Sequence, residues 1–126
     1  MNIPSGLKFS TDHEWIKVDG DHAIIGISDY AQSELGDIVY IDIESDLIEL
    51  TANETFGSIE AVKTVSDLYA PVSAKVIEIN ERLEDEPELV NSDPYGEGWL
   101  IKVEIGDISQ LDNLLDTEEY KKQIGG

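Results

Sequence analysis

Apolar residues fall in short runs of period two, separated by turn-forming residues, until the pattern changes near residue 107. Residues 13–18 (HEWIKV) and 22–27 (HAIIGI) flank Asp19, Gly20 and Asp21, which predicts a β-hairpin with Ala23, Ile25 and Ile27 on one face. Residues 28–36 (SDYAQSELG) break the alternation. Asp29 and Gln32 make a capping-box pair, Ala31 and Leu35 are four apart, and Gly36 supplies a stop, so a short helix is expected between strands. Residues 37–43 (DIVYIDI) return to period two, with Val39, Ile41 and Ile43 expected inward and Tyr40 and Asp42 outward. An acidic loop with one edge strand is expected over 44–54.

Residues 58–62 and 64–69 are two half-buried, β-branched runs around a single lysine, which places Lys63 where a hairpin reverses direction. Pro71 keeps Ala70 extended, and 75–80 (KVIEIN) is read as a strand with Ile77 and Ile79 on one face. The polar stretch 81–98, with Pro87, Pro94, Gly96 and Gly98, is expected to be a long surface connection. A strand over 99–105 turns Trp99, Ile101, Val103 and Ile105 inward. Asp107 with Gln110, followed by Ile108, Leu111 and Leu115, and then Asp116 with Glu119 and Tyr120, predict two terminal helices. Many short strands with terminal helices imply a mainly β fold, a β-sandwich or flattened barrel carrying a helical cap.

The 126 residues are expected to form one domain, 1–126, large enough to bury a single core. Eight Lys and Arg against 28 Asp and Glu give a formal charge of −20, which excludes phosphate-backbone or anionic-lipid docking and favours basic protein partners. With no cysteine, any redox sulfur must arrive on a cofactor. Neither a targeting segment nor an apolar run long enough to span a membrane is evident, so a cytoplasmic protein is expected. His13 and His22 fall in no metal-binding spacing, no Gly-rich loop opens a helix, and no serine sits in a nucleophile elbow. The residues therefore describe no catalytic machinery and no metal site.

What stands out is a lysine isolated in an acidic chain at a stiff turn. The pattern EAVK followed by SDLYAPV resembles the arm lysine of lipoyl and biotinyl carrier domains, with Glu60 three positions before Lys63 and Ala70-Pro71 after it. The likeness extends over nearly the whole chain. GLKFSTDHEWI (6–16), IGISDYAQSELGDIVYIDI (25–43), GSIEAVKTVSDLYAPVS (57–73) and PELVNSDPYGEGWLIKVEI (87–105) are all similar, in order and spacing, to the H-protein family of the glycine cleavage system.

That resemblance implies a barrel-sandwich hybrid of two small antiparallel sheets and a lipoic acid in amide linkage on Lys63. It implies a non-catalytic carrier that takes an aminomethyl group from a pyridoxal-phosphate glycine decarboxylase to a tetrahydrofolate-dependent aminomethyltransferase. A flavin (FAD) dihydrolipoamide dehydrogenase then reoxidises the arm, and lipoate-attaching enzymes load it; the carrier is expected to be a monomer. Glu60 and Asp67 are the expected arm-presenting residues. Glu14, with Asp67 and Asp12 behind it, is the expected carboxylate lining of a cleft that shelters the cationic cargo. Trp15 is expected to be core packing and His13 a hydrogen-bonded structural residue, with no role for His22 beyond its strand. Two departures from the family pattern are Ala74, where glycine is usual, and the acidic 44–50 segment, where proline and glycine are common. Rival readings are a biotinyl carrier, disfavoured because Val62 and Thr64 stand where methionines flank a biotin-bearing lysine, a lipoyl reservoir serving other enzymes, and an unmodified interaction module.

Overall fold

The structure, a computed structural model, describes residues 3–44 and 46–125. Two antiparallel sheets enclose the core. The larger is built from β1 (Lys8–Phe9), β2 (Glu14–Asp19), β3 (His22–Ile27), β5 (Glu49–Leu50), β8 (Ala74–Ile79) and β9 (Ile101–Ile105), in the order β1-β2-β3-β9-β8-β5. The smaller is β4 (Ile38–Asp42), β6 (Thr55–Ala61) and β7 (Val65–Tyr69), in the order β4-β6-β7. The two sheets form a barrel-sandwich hybrid without closing into a barrel. No helix of the described residues is long and apolar enough to cross a membrane.

Both predicted hairpins form. Asp19 pairs with His22 across Gly20, whose φ of +67° is a conformation a Cβ would strain. Ala23, Ile25 and Ile27 are buried together, joined by Ile59 and Leu68 from the small sheet and by Ile101, Val103 and Ile105 from β9. A second apolar cluster, Phe9, Trp15 and Tyr120, lies on the side toward the C-terminus, with the Phe9 and Tyr120 rings stacked at 4.4 Å. Trp15 is core, as expected, and its indole Nε1–H donates to the Pro94 carbonyl at 2.9 Å. It packs flat against Gly26, where any Cβ would fall 2.7 Å from the ring.

Four local expectations are corrected. In β4 a register shift between Ile38 and Tyr40 puts Ile38 inward and leaves Val39 exposed, because the extra residue of a bulge reverses the alternation on one side of it. A shift between Val76 and Glu78 does the same to Ile77, which is exposed while Ile79 is half-buried. Stretch 81–98 is not a plain connection. It carries two one-turn helices, α2 (Arg82–Asp85) and α3 (Leu89–Ser92), which bury Leu83 and Val90, and the Asn80 amide pins it by donating to the Glu97 and Trp99 carbonyls. Trp99 precedes β9 and is half-buried over the second cluster, with Lys102 Nζ 4.7 Å from its ring centre; the fully buried neighbour is Leu100.

Helix caps also differ in detail. α1 (Asp29–Leu35) is capped by Ser28, whose Oγ accepts from the Ala31 N–H at 3.1 Å, while Gln32 donates to Asp29 within the first turn. Gly36 ends it at φ +81°. Residues Ile108–Asn113 form a 3₁₀ turn in which Asp107 caps Ser109, and Gln110 instead accepts from the Ser73 N–H. α4 (Thr117–Gln123) begins with the expected capping box of Asp116 and Glu119 and buries Tyr120 completely.

Candidate functional site

The tip of the β6–β7 hairpin is held in two ways. The Ala61 N–H donates to the Thr64 carbonyl at 2.8 Å, closing the turn, and the Val62 N–H donates to the Asp37 carbonyl at 2.9 Å, tying the tip to the start of β4. Lys63 stands between them, exposed, and its ammonium pairs with no carboxylate among the described residues. Its alkyl stem lies over Gly36, where a Cβ would fall 3.3 Å from Lys63 Cδ and Cε. Helix α1 thus ends under the lysine. Val62 and Val65 beside it are 71% and 60% exposed, an apolar collar on an otherwise acidic surface.

Below this tip a cleft of about 240 Å³ opens between the 12–14 segment, α1 and β7. Asp12, His13 and Glu14 line one wall, Tyr30, Ala31, Glu34 and Leu35 another, and Ile59, Ser66, Asp67 and Leu68 the third. The predicted cleft carboxylates Glu14, Asp12 and Asp67 therefore meet in one place. Glu60 does not join them. It pairs with Tyr40 on one side and Val65 on the other, on the outer face of the small sheet. By the same register Asp67, opposite Ser58, shares that outer face and borders the cleft from its edge, whereas Ser66 lies on the inner side with the buried Ile59.

Glu14 is the unusual member. It is only 2% exposed, and burial pushes its carboxyl up to about 8, against the hydrogen bonds from Ser10 Oγ at 2.9 Å and the Tyr69 N–H at 3.3 Å. Sequence reasoning missed Ser10, Tyr30 and Glu34; Ser10 is four residues from Glu14, a spacing that carries no signal outside a helix. His13, expected to be a hydrogen-bonded residue, is held at φ +70° with its Nδ1 3.0 Å from Tyr120 Oη. Burial lowers its pKa, opposed by Asp12 and Glu34. His22 is exposed at the far turn, 3.7 Å from Asp21. A larger groove of about 990 Å³ lies between β4, β8 and α2, and none of the predicted site residues lines it.

Comparison with known proteins places the chain in a family. The family described as Glycine cleavage H-protein matches residues 7–125. The chain belongs to the glycine cleavage H-protein family. It is 56% identical over 125 residues to the glycine cleavage system H protein of Staphylococcus haemolyticus (strain JCSC1435), covering 99% of both chains. The crystal structure of a glycine cleavage system H protein from Mycobacterium marinum superposes with a TM-score of 0.86 at 36% identity, over 98% of this chain and all of that one.

Members of the H-protein family carry a lipoyl group covalently on a lysine. Lys63 has the properties such a linkage requires: an exposed amine, without an ion-pair partner among the described residues, on a turn whose backbone is fixed from two sides. The walls of the neighbouring cleft are acidic and apolar together. Asp12, Glu34 and Asp67 set further carboxyl groups around the buried Glu14, and Ile27, Leu35 and Leu68 add apolar surface.

Proposed function

We propose that Lys63 is the lipoyl-bearing lysine of this H protein and that the cleft beside it is where the loaded arm rests. The chain is a non-catalytic carrier component of the glycine cleavage system. It moves the aminomethyl group of glycine from the pyridoxal-phosphate glycine decarboxylase to the tetrahydrofolate-dependent aminomethyltransferase and is returned to its starting state by dihydrolipoamide dehydrogenase. Bound on Lys63, the lipoyl group supplies the sulfur that takes and gives up this cargo; everything else is done by side chains of the fold. The hairpin holds the attachment point rigid, so that the arm moves and the tip does not. Residues 1–126 act as one carrier unit, in the cytoplasm.

Glu14 is the residue that receives the cargo's ammonium. An uncharged carboxyl suits a buried position when the arm is away. An arriving cation favours the ionised form, so ammonium and carboxylate pair where water is excluded. Asp12 and Asp67 add negative potential at the mouth. Glu60, on the outer face, belongs to the surface that presents Lys63 to the attaching enzyme.

The observation that carries this reading is that the exposed Lys63, on a braced hairpin tip, lies over Gly36 at the end of α1, next to Leu35 of a cleft that holds a buried acid. Intact-mass analysis of protein from its native cells, with peptide mapping, tests it. A lipoyl-sized addition on Lys63 is the expected result. A bare Lys63 in lipoate-replete cells, or the addition on another lysine, would overturn it.

A further inference from the structure

The cleft wall beside Glu14 is fastened to the C-terminal helix by a chain of hydroxyls. Tyr120 Oη lies 2.6 Å from Ser28 Oγ and 3.0 Å from His13 Nδ1. Ser28 is completely buried, and its Oγ already accepts from the Ala31 N–H at the start of α1. Among the described residues its own O–H has one acceptor in reach, Tyr120 Oη. If Tyr120 instead donated to Ser28, that buried Ser28 hydrogen would go unpaired, which is costly in a site closed to water. The arrangement that satisfies every group therefore runs one way: Ser28 donates to Tyr120, and Tyr120 donates to His13 Nδ1. His13 must then carry its proton on Nε2, an atom with no hydrogen-bond partner among the described residues, on a ring that lines the cleft.

We propose that the Tyr120 hydroxyl is a positioning group for the cleft: it holds His13 as a neutral Nε2–H imidazole, so that the wall beside Glu14 does not carry a second cation. This rests on the reading that the cleft shelters the aminomethyl-loaded arm. A protonated His13 would stand beside the cargo's ammonium and repel it. Protonation at Nδ1 requires Tyr120 to turn its hydrogen to Ser28, and the relay penalises that turn. The other titratable groups around His13 are Asp12 on its own segment, Glu14 on β2, Tyr30 and Glu34 on α1, and Asp67 on β7, with Tyr95 beyond Tyr120. The carboxylates favour a charged His13, burial opposes them, and the relay acts in the same direction as burial. At φ +70° the backbone of His13 occupies a region that most side chains avoid, and its ring lies against those of Tyr30 and Tyr120, with centroids 5.0 and 5.8 Å away.

The unloaded protein tests the relay without reference to cargo. Nitrogen-15 NMR of the two histidines should find His13 with its proton on Nε2, and His22 serves as an exposed reference. In Tyr120→Phe, which keeps the ring stacked on Phe9, the His13 tautomers should mix and its titration midpoint should rise by roughly one unit. A proton on Nδ1 in the unsubstituted protein, or an unchanged midpoint in Tyr120→Phe, overturns the proposal.

The loaded carrier tests what the relay does. Relative to unsubstituted protein at each pH, Tyr120→Phe should lose its aminomethyl group roughly three- to tenfold faster near pH 6 and at a similar rate near pH 8. An acceleration equal at all pH values would mean a structural role and would overturn the proposal. His13→Asn supplies a neutral amide donor that tolerates positive φ, and in that background Tyr120→Phe should have no pH-dependent effect. Glu14→Gln separates the two readings. If it leaves decay unchanged, the sheltering cleft is wrong; if it speeds decay while Tyr120→Phe is silent at every pH, the cleft stands and the relay falls.

Discussion

The hairpin tip and the cleft below it sit side by side, yet they are built on opposite terms. The tip is a single exposed hairpin turn, braced by one backbone hydrogen bond within the turn and one to Asp37. The cleft draws on the 10–14 segment, α1, β7 and the remote α4, and its decisive acid is buried. A carrier needs both. The attachment point must be reachable by several enzymes, which calls for a local, protruding motif, while the resting place must exclude water, which calls for several elements closing on one spot. Damage to the first should abolish function without unfolding anything; damage to the second should change stability and cargo lifetime together.

The largest expected effect sharpens that contrast. Lys63→Arg keeps the charge and removes the acylatable amine, so lipoylation and all transfer should be lost, while the midpoint of thermal unfolding stays within about 2 °C. A variant that still carries cargo would break the division at once.

Glu14→Gln probes the cleft. Because the folded protein raises this carboxyl from 4.5 to about 8, the fold binds its proton more tightly than the unfolded chain does. The stability this brings is fully present below about pH 4.5 and is lost as pH rises to about 8. Glutamine, which has nothing to ionise, escapes that loss. The variant should therefore be the more stable protein above neutral pH, by on the order of 2–4 kcal/mol at pH 8, with the gap closing toward pH 4.5. Parallel denaturation curves across this range would show that Glu14 is not strained in the empty carrier.

Gly57 belongs to the base of the hairpin, where it passes so close to β4 that a Cβ would fall 2.5 Å from the Asp42 carbonyl oxygen and 2.9 Å from Ile43. Gly57→Ala should cost about 1–3 kcal/mol in urea unfolding and loosen the base of the hairpin. Lipoylation should persist, since the turn itself is untouched. Loss of lipoylation would mean that the tip depends on its base more than its own two hydrogen bonds imply.

The same division governs how much of the molecule could be read in advance. Features made by neighbours in sequence were legible: the Gly20 turn, the Gly36 stop, the Lys63 hairpin and the Asp116 capping box. The faces of β4 and β8 were not, because a bulge at Val39 or Ile77 leaves the composition of a strand unchanged while reversing which side a residue faces. Helices α2 and α3 were hidden because each has one turn and buries one side chain, too short for a period to declare itself. Among the cleft residues, Glu14, Asp12 and Asp67 came from family resemblance and do meet. Ser10, Tyr30 and the Tyr120 contact were invisible, since residues 13 and 120 are brought together only by the docking of α4 on β1.

That docking gives the smallest and most discriminating prediction. Asp116 Oδ1 accepts from the Glu119 N–H at 2.8 Å, and Glu119 returns a carboxylate oxygen to the Asp116 N–H at 3.1 Å, so two otherwise unpaired donors at the start of α4 are satisfied. Asp116→Ala should cost about 1 kcal/mol overall, read by urea unfolding. Its site is exposed and far in sequence from the hairpin, so lipoylation of Lys63 should be untouched. Yet α4 carries Tyr120, and a frayed first turn should let that side chain leave Ser28 and His13 more often. Hydrogen exchange at the Ala31 amide, which Ser28 caps, should therefore quicken together with exchange in α4, while exchange at the Ala61 amide in the hairpin turn stays the same. Equal acceleration at both amides would mean that tip and cleft open as one unit, and the contrast between a locally braced arm and a remotely braced shelter would be gone.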